Sequence, residues 1–316
     1  MTLSRRHLIA TAAALPLAGP AFAKAPLAGA QTPATYRYKV GDVEVTAIGD
    51  GLAMRPIDGF IRNADLAEVK QVLADSFLPT DAVPISFTTL VINNGNQLIL
   101  VDTGNGQFGA PTSGTWMANF RAAGFDPKDV DVVVFSHFHG DHINGTRGRD
   151  TMATFPNAEL RVPAPEWAFW MDDARAAAAP DAMKPAFANV RRVFAPVANN
   201  VTRFDWGKEA APGLTAIDAH GHTPGHTTFA LTSAGKTLLI MSDTTNHPAL
   251  FVRKPDWTAV FDMDGPQAII TRRRMLDMAI TEKAQVAFYH APFPATGHIQ
   301  RDGTGYRLAP IAWAPV

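Results

Sequence analysis

From residue 36 onward, apolar positions fall in short runs, several of them alternating, broken by Gly, Asn, Asp and Pro. That period belongs to half-buried strands rather than to long helices. Residues 36–40 and 43–48 alternate around Gly41-Asp42, which predicts a hairpin. Residues 85–92 and 97–101, split by Asn93-Asn94-Gly95-Asn96, predict a second hairpin that ends at Asp102-Thr103-Gly104. Between the hairpins, Asp65-Leu66-Ala67-Glu68 is a capping-box-like opening for a helix to about residue 77. A helix over 116–123 closes on Gly124, and the apolar run 131–136 predicts a buried strand.

The second half follows the same order. Strands are expected at 159–162, 214–219, 227–232, 237–241 and 285–289, with helices over 165–179 and 266–280. Strands alternate with helices, yet many strands are hairpin-linked. This argues for an α+β fold with antiparallel or mixed sheets and outer helices, not a purely parallel sheet.

Composition narrows the chemistry. Hydrophobic content of 47% with 18% charged residues describes an ordinary globular core, so disorder is not the explanation of the loops. Lys+Arg of 28 against Asp+Glu of 29 leaves no basic field, which argues against a nucleic-acid partner. Cysteine is absent, so any metal must sit in a nitrogen and oxygen shell.

Residues 1–23 read as an export leader. Ser4-Arg5-Arg6-His7-Leu8-Ile9 is a twin-arginine start, an apolar stretch follows, and Ala21-Phe22-Ala23 is an A-x-A-like cleavage site. The apolar run is too short to span a bilayer, so no stable membrane insertion is expected after cleavage. Residues 24–35, rich in Ala, Pro and Gly, read as a linker, and 36–316 as the folded domain. The expected location is the periplasm or outside the cell.

The strand at 131–136 delivers His137-Phe138-His139-Gly140-Asp141-His142. Packing does not explain three imidazoles and a carboxylate in one turn, and both groups are ligands for Zn²⁺ and similar ions. His137 and His139 can share one side, while Asp141 and His142 face a second point, which suggests two metals. Asp102, His226, Asp243 and His290 also fall at or beside the ends of apolar strands, so several strand ends converge on one edge.

This H-x-H-x-D-H motif, followed by Thr223-Pro224-Gly225-His226, Asp243 and His290, resembles the metallo-β-lactamase superfamily. Within it the chain is most similar to the methyl parathion hydrolase group and related secreted lactonase-like enzymes. Shared stretches include Leu100-Val101-Asp102-Thr103-Gly104 and Pro292-Phe293-Pro294-Ala295-Thr296-Gly297-His298-Ile299. The resemblance implies an αββα sandwich, with two mixed sheets packed face to face and helices outside. It implies two divalent ions, with zinc the first choice. His137, His139 and His226 would hold one; Asp141, His142 and His290 would hold the other, with Asp243 bridging. Asp141 and Asp243 are also the expected catalytic carboxylates. Asp102 and His222 are expected to support ligating imidazoles without binding metal themselves. Phe108, Trp170 and Phe187 are expected around a leaving-group pocket, with His247 reaching substrate.

The activity implied is dinuclear hydrolysis, in which a metal-bridging hydroxide attacks a small, hydrophobic, neutral ester, lactone or phosphotriester. The loop Ser242-Asp243-Thr244-Thr245-Asn246-His247-Pro248 departs from the usual continuation in both triesterases and lactonases, so the substrate stays open. The alternatives are a single-iron redox or persulfide enzyme on the same fold, or a β-lactamase or thioesterase-type hydrolase. A homodimer is also left open.

Overall fold

Gly41 and Asp42 turn the chain between β1 (Thr35–Val40) and β2 (Val43–Pro56), whose Val40 and Val43 pair across the turn. Gly41 has φ +58°, and a Cβ there would meet the Ser233 carbonyl oxygen at 2.2 Å, so glycine is required twice over. The structure is a computed structural model that describes Ala25 and residues 27–316. The expected leader over 1–23 lies outside the described residues. Residues 33–316 form one unit, to which the following description applies.

Among the described residues the strands form two seven-stranded sheets, each in chain order. The first continues with β3 (Ala82–Asn93), β4 (Leu98–Val101), β5 (Val132–Val134), β6 (Glu159–Pro163) and β7 (Val201–Phe204). Its first four strands are antiparallel, and β4 to β7 run parallel. The second comprises β8 (Glu209–Ala211), β9 (Leu214–Asp218), β10 (Thr227–Ser233), β11 (Lys236–Ser242), β12 (Gln285–Phe288), β13 (Thr296–Asp302) and β14 (Gly305–Pro310). It is antiparallel except for the β11–β12 pair. Both sheets are therefore mixed, and helices lie on their outer faces. The fold is the expected α+β sandwich.

Alternation decides which side chains go where. Ile99, Val101, Val132 and Val134 face the second sheet and pack with Leu214, Phe229 and Ile240. Their neighbours Leu100 and Val133 face outward, against α2 (Trp116–Ala122), α4 (Ala164–Trp170) and α6 (Lys184–Phe194). Strands β4 and β5 are thus buried on both faces, which explains their unbroken apolar runs. On the second sheet, α8 (Gly265–Thr281) covers Leu239, Met241 and Val286 with Met275, Leu276 and Ala279. Completely burying one such aliphatic side chain contributes about 1.5–3 kcal/mol, so these layers hold the sheet ends in place.

Two local expectations change. The single helix over 165–179 is α4 followed by α5 (Asp173–Ala178), because Asp172 caps a new helix by accepting the Arg175 N–H at 3.0 Å. Helix α6, an addition to the expected elements, buries Phe187, Val190, Val193 and Phe194 along one stripe. The first helix, α1 (Leu66–Asp75), starts at its Asp65 cap as expected. Among the described residues no helix is long and apolar enough to cross a membrane.

Candidate metal centre

Strand β5 stops at Val134, and the chain then turns through residues 135–139 into the one-turn helix α3 (Gly140–Ile143). This turn brings His137 and His139 side by side, their ring centroids 4.7 Å apart, and puts Asp141 and His142 beyond them. Two groups result. Ligand atoms of His137, His139, His222 and Asp243 lie within 4.8 Å of one another, as do those of Asp141, His142 and His290.

Asp243, just after β11, lies between the groups. Its Oδ2 is 3.3 Å from His222 Nε2 and 3.0 Å from His290 Nε2, and its Oδ1 is 3.2 Å from His142 Nε2. His142 and His290 Nε2 also lie 3.5 Å from Asp141 Oδ2.

The expected ligand His226 is not in either group. Both of its nitrogens are occupied: Nδ1 faces the Ala219 carbonyl at 2.9 Å, and Nε2 accepts the Asp243 backbone N–H at 3.1 Å. His222 takes the place instead. Its Nε2 is 2.9 Å from His139 Nδ1, and its Nδ1 is 2.9 Å from Asp262 Oδ1. The chain turns through residues 220–225 between β9 and β10, and His222, four residues before His226, is the histidine that joins the group.

His142 and His290 each have a partner behind them. Asp102, with φ +59° at the end of β4, reaches His142 Nδ1 at 2.8 Å while accepting from the Ser136 backbone and hydroxyl. The Ser86 carbonyl faces His290 Nδ1 at 2.9 Å. Tyr289 stacks on His142 and donates to the Asp141 carbonyl at 2.6 Å. Such contacts fix ring orientation and tautomer.

Burial and the neighbouring imidazoles His142 and His222 hold His137 and His139, respectively, well below the ordinary imidazole range, so both present neutral lone pairs. Burial, aided by His222, pushes His226 down to about 3. Burial also opposes charge on His142, but Asp243, Asp141 and Asp102 outweigh it and hold His142 well above its usual value. His222 is likewise raised to about 9, as Asp243 and Asp262 overcome burial. Asp243 runs the other way. Burial would raise it, but His290 and His142 hold it well below the carboxylate range.

The centre therefore favours positive charge at two adjacent points. His137 Nε2, His142 Nε2 and Asp243 Oδ1 are buried with no hydrogen-bond partner among the described residues. His142 Nε2 and Asp243 Oδ1 face each other as an ion pair at 3.2 Å, and an unpaired buried atom such as His137 Nε2 costs about 1–3 kcal/mol. Nitrogen and oxygen donors in this arrangement fit divalent cations.

A cleft of about 550 Å³ opens over the centre. Its floor includes His139, Asp141 and His222, and its walls include Phe87, Phe108 and Phe261. Phe108 lies beneath Arg192, whose guanidinium carbon is 4.0 Å from the ring centre. Trp170 and Phe187, expected beside the substrate, are not there. Both are buried with Phe138 and Phe194 in the core under the first sheet, because α4 and α6 turn their apolar stripes inward. His247 is also absent from the cleft lining. It caps α7 (Pro248–Phe251), with Nδ1 accepting the Ala249 N–H at 3.2 Å. Its neighbour Asn246 lines the cleft instead.

Three supporting carboxylates were not read from the sequence. Asp262 backs His222. Asp50 accepts from the backbone N–H groups of Asn105 and Trp116, each at 2.7 Å, and so shapes the rim. Glu166 accepts from the backbone of Phe138 and Gly225. None lies in a motif, and each is made informative only by what folding brings beside it.

A comparison with curated proteins returned no match. Among solved structures, the chain is similar to AbOPH, a hydrolase in the β-lactamase superfamily, at 27% identity and a TM-score of 0.85, over 90% of this chain and 100% of that one. It is similar in fold to AidC, a dizinc quorum-quenching lactonase, at 24% identity and a TM-score of 0.84, over 90% and 99%. A probable metal-dependent hydrolase from Staphylococcus aureus matches at 21% identity and a TM-score of 0.72, over 87% and 100%. The metallo-beta-lactamase superfamily model matches residues 83–290, which run from β3 to His290 and contain both groups. The chain belongs to the metallo-β-lactamase superfamily and is a hydrolase of that superfamily.

Proposed function

We propose that the centre holds two divalent cations, with zinc the expected metal, and hydrolyses a neutral ester, with lactones as the first substrate class. The observation that carries this reading is the Asp243 carboxylate, set between two otherwise separate ligand groups. His137, His139 and His222 would hold one ion with Asp243; Asp141, His142 and His290 would hold the other with the same carboxylate. Such a pair, when bound, would supply Lewis acidity and water acidified toward neutral pH.

The chain's own residues do the rest. Asp243, held ionised by His290 and His142, keeps both groups in register. Asp141, the more exposed carboxylate of the floor, is placed to take the proton released on attack and return it to the departing alkoxide. Asn246 presents an amide beside Asp243 that can bind a substrate oxygen. Phe87, Phe108 and Phe261 give the cleft apolar walls, which favour an uncharged substrate and exclude water around it.

The phosphotriester reading loses support because Trp170 and Phe187 do not reach the cleft. The lactone reading gains from the fold shared with the dizinc lactonase AidC. Both ligand groups are complete, which disfavours the single-iron alternative. Export is part of the same proposal: residues 1–23 would carry the folded, metal-loaded chain to the periplasm.

The test is a panel of an acyl-homoserine lactone, an aryl ester, a paraoxon-like triester, a β-lactam and a thioester compared by kcat/KM. The lactone is expected to lead by at least tenfold. A β-lactam or thioester at the head of the panel would overturn the proposal.

A further inference from the structure

Glu166, a carboxylate outside both ligand groups, touches both loops that deliver the histidines of the His137/His139/His222/Asp243 group. It lies in the first turn of α4, and its side chain is completely buried. A buried carboxylate is tolerated only when its oxygens are well paired. Here Oε1 accepts from the Phe138 backbone N–H at 2.9 Å and from Trp170 Nε1 at 2.7 Å. Oε2 accepts from the Thr223 hydroxyl at 2.8 Å and the Gly225 backbone N–H at 2.7 Å.

The addresses of these donors matter. Phe138 stands between His137 and His139, and Thr223 and Gly225 lie one and three residues after His222. Phe138 and Thr223 are 85 residues apart in sequence (223 − 138), and one carboxylate spans them. Gly225 sits against α4 so closely that a Cβ there would meet the Glu166 backbone nitrogen at 2.1 Å. Trp170 belongs to the same helix as Glu166, so its bond tethers no loop.

The Asp141/His142/His290 group is anchored differently. Asp102 holds His142, the Ser86 carbonyl holds His290, and Tyr289 holds Asp141. None of these contacts involves Glu166.

We infer that Glu166 is a positioning residue that sets the separation of the two histidine loops, and so tunes the cation affinity of the His137/His139/His222/Asp243 group selectively. The inference rests on the two-cation reading above, but its test does not depend on hydrolysis. Glu166→Gln is near-isosteric, yet its NH₂ must face either the Phe138 N–H or the Gly225 N–H, since only the Thr223 hydroxyl can turn to accept, so one backbone tether is lost.

The test is equilibrium dialysis of the full chain against buffered free Zn²⁺, with both dissociation constants read from metal content. In Glu166→Gln one constant should weaken by about 10–100-fold, the range for supporting residues, while the other stays within about threefold. Trp170→Phe, which removes the donor that tethers no loop, should leave both within about threefold. In the His290→Ala background, where the group served by Glu166 is the intact one, Glu166→Gln should still weaken the remaining site at least about tenfold. That comparison holds whatever the wild-type stoichiometry, so failure of the two-cation reading stays distinguishable. If Glu166→Gln does not fold, Thr223→Val removes one tether and should weaken the same site by a few-fold. Equal weakening of both sites, or no weakening in a folded variant, overturns the inference.

Discussion

His222 Nδ1 meets Asp262 Oδ1 at 2.9 Å, which turns Nε2 of the same ring toward His139 and Asp243. Asp262 is itself fixed, accepting the Ala259 N–H at 3.0 Å and lying 3.4 Å from buried Arg272. His142 has a similar backing in Asp102. Each ligand group thus contains one histidine braced by a buried carboxylate.

Asp262→Asn should leave the fold intact and lower cation affinity by about 10–100-fold, because the amide braces the His222 ring less well. Chelator competition on the purified variant measures this. Unchanged affinity would show that the brace does not matter.

His222→Ala and His226→Ala should separate cleanly. The first should lose one bound cation and at least about 100-fold in kcat/KM, with little change in Tm. The second should keep both cations and lose about 2–4 kcal/mol of stability, since it leaves the Ala219 carbonyl and the Asp243 N–H without their partner. Metal content and thermal unfolding of both variants decide the matter; the reverse pattern would restore His226 as a ligand.

His247 gives a pH dependence. Burial, with His290 nearby, holds it down to about 4 against an ordinary value of 6.5. Between these values the unfolded chain binds the extra proton and the folded chain does not, so stability rises with pH. The contribution is complete above about pH 6.5 and is lost as pH falls toward 4, at up to roughly 1 kcal/mol per pH unit. His247→Asn keeps a cap acceptor without the titration, and its denaturant midpoint should fall less steeply over this range. Parallel curves for wild type and variant would contradict the assignment.

Phe108 lines the cleft and Phe187 does not. Phe108→Ala should raise KM for an apolar ester by about tenfold with little change in kcat, the mark of lost uniform binding. Phe187→Ala should instead cost about 3–5 kcal/mol of stability and leave KM near wild type. Steady-state kinetics below the variants' unfolding temperatures would expose an exchange of these roles.

Much of the scaffold was legible in the chain. Hairpins at Gly41-Asp42 and at 93–96 follow from turn chemistry and alternation, and the strand ahead of His137 follows from its apolar run. These are local signals. The choice between His222 and His226 is not local, since both stand in Gly-His-Thr-Pro-Gly-His and only the loop's path into the sandwich decides which ring reaches His139. The same limit hid Asp262 and Glu166, whose partners in the histidine loops lie 40 and 28 or more residues away. Trp170 and Phe187 were misplaced for a related reason. An aromatic near a ligand strand can face the cleft or the core, and that depends on the roll of α4 and α6, which no residue in them specifies alone.

The central claim is that two ligand groups sharing Asp243 hold two cations. The most direct test is the metal content of the purified chain, measured beside that of Asp243→Ala. About two zinc ions per wild-type chain, falling below one in the variant, is the predicted result. A single iron per chain, or two zinc ions retained in Asp243→Ala, would contradict it.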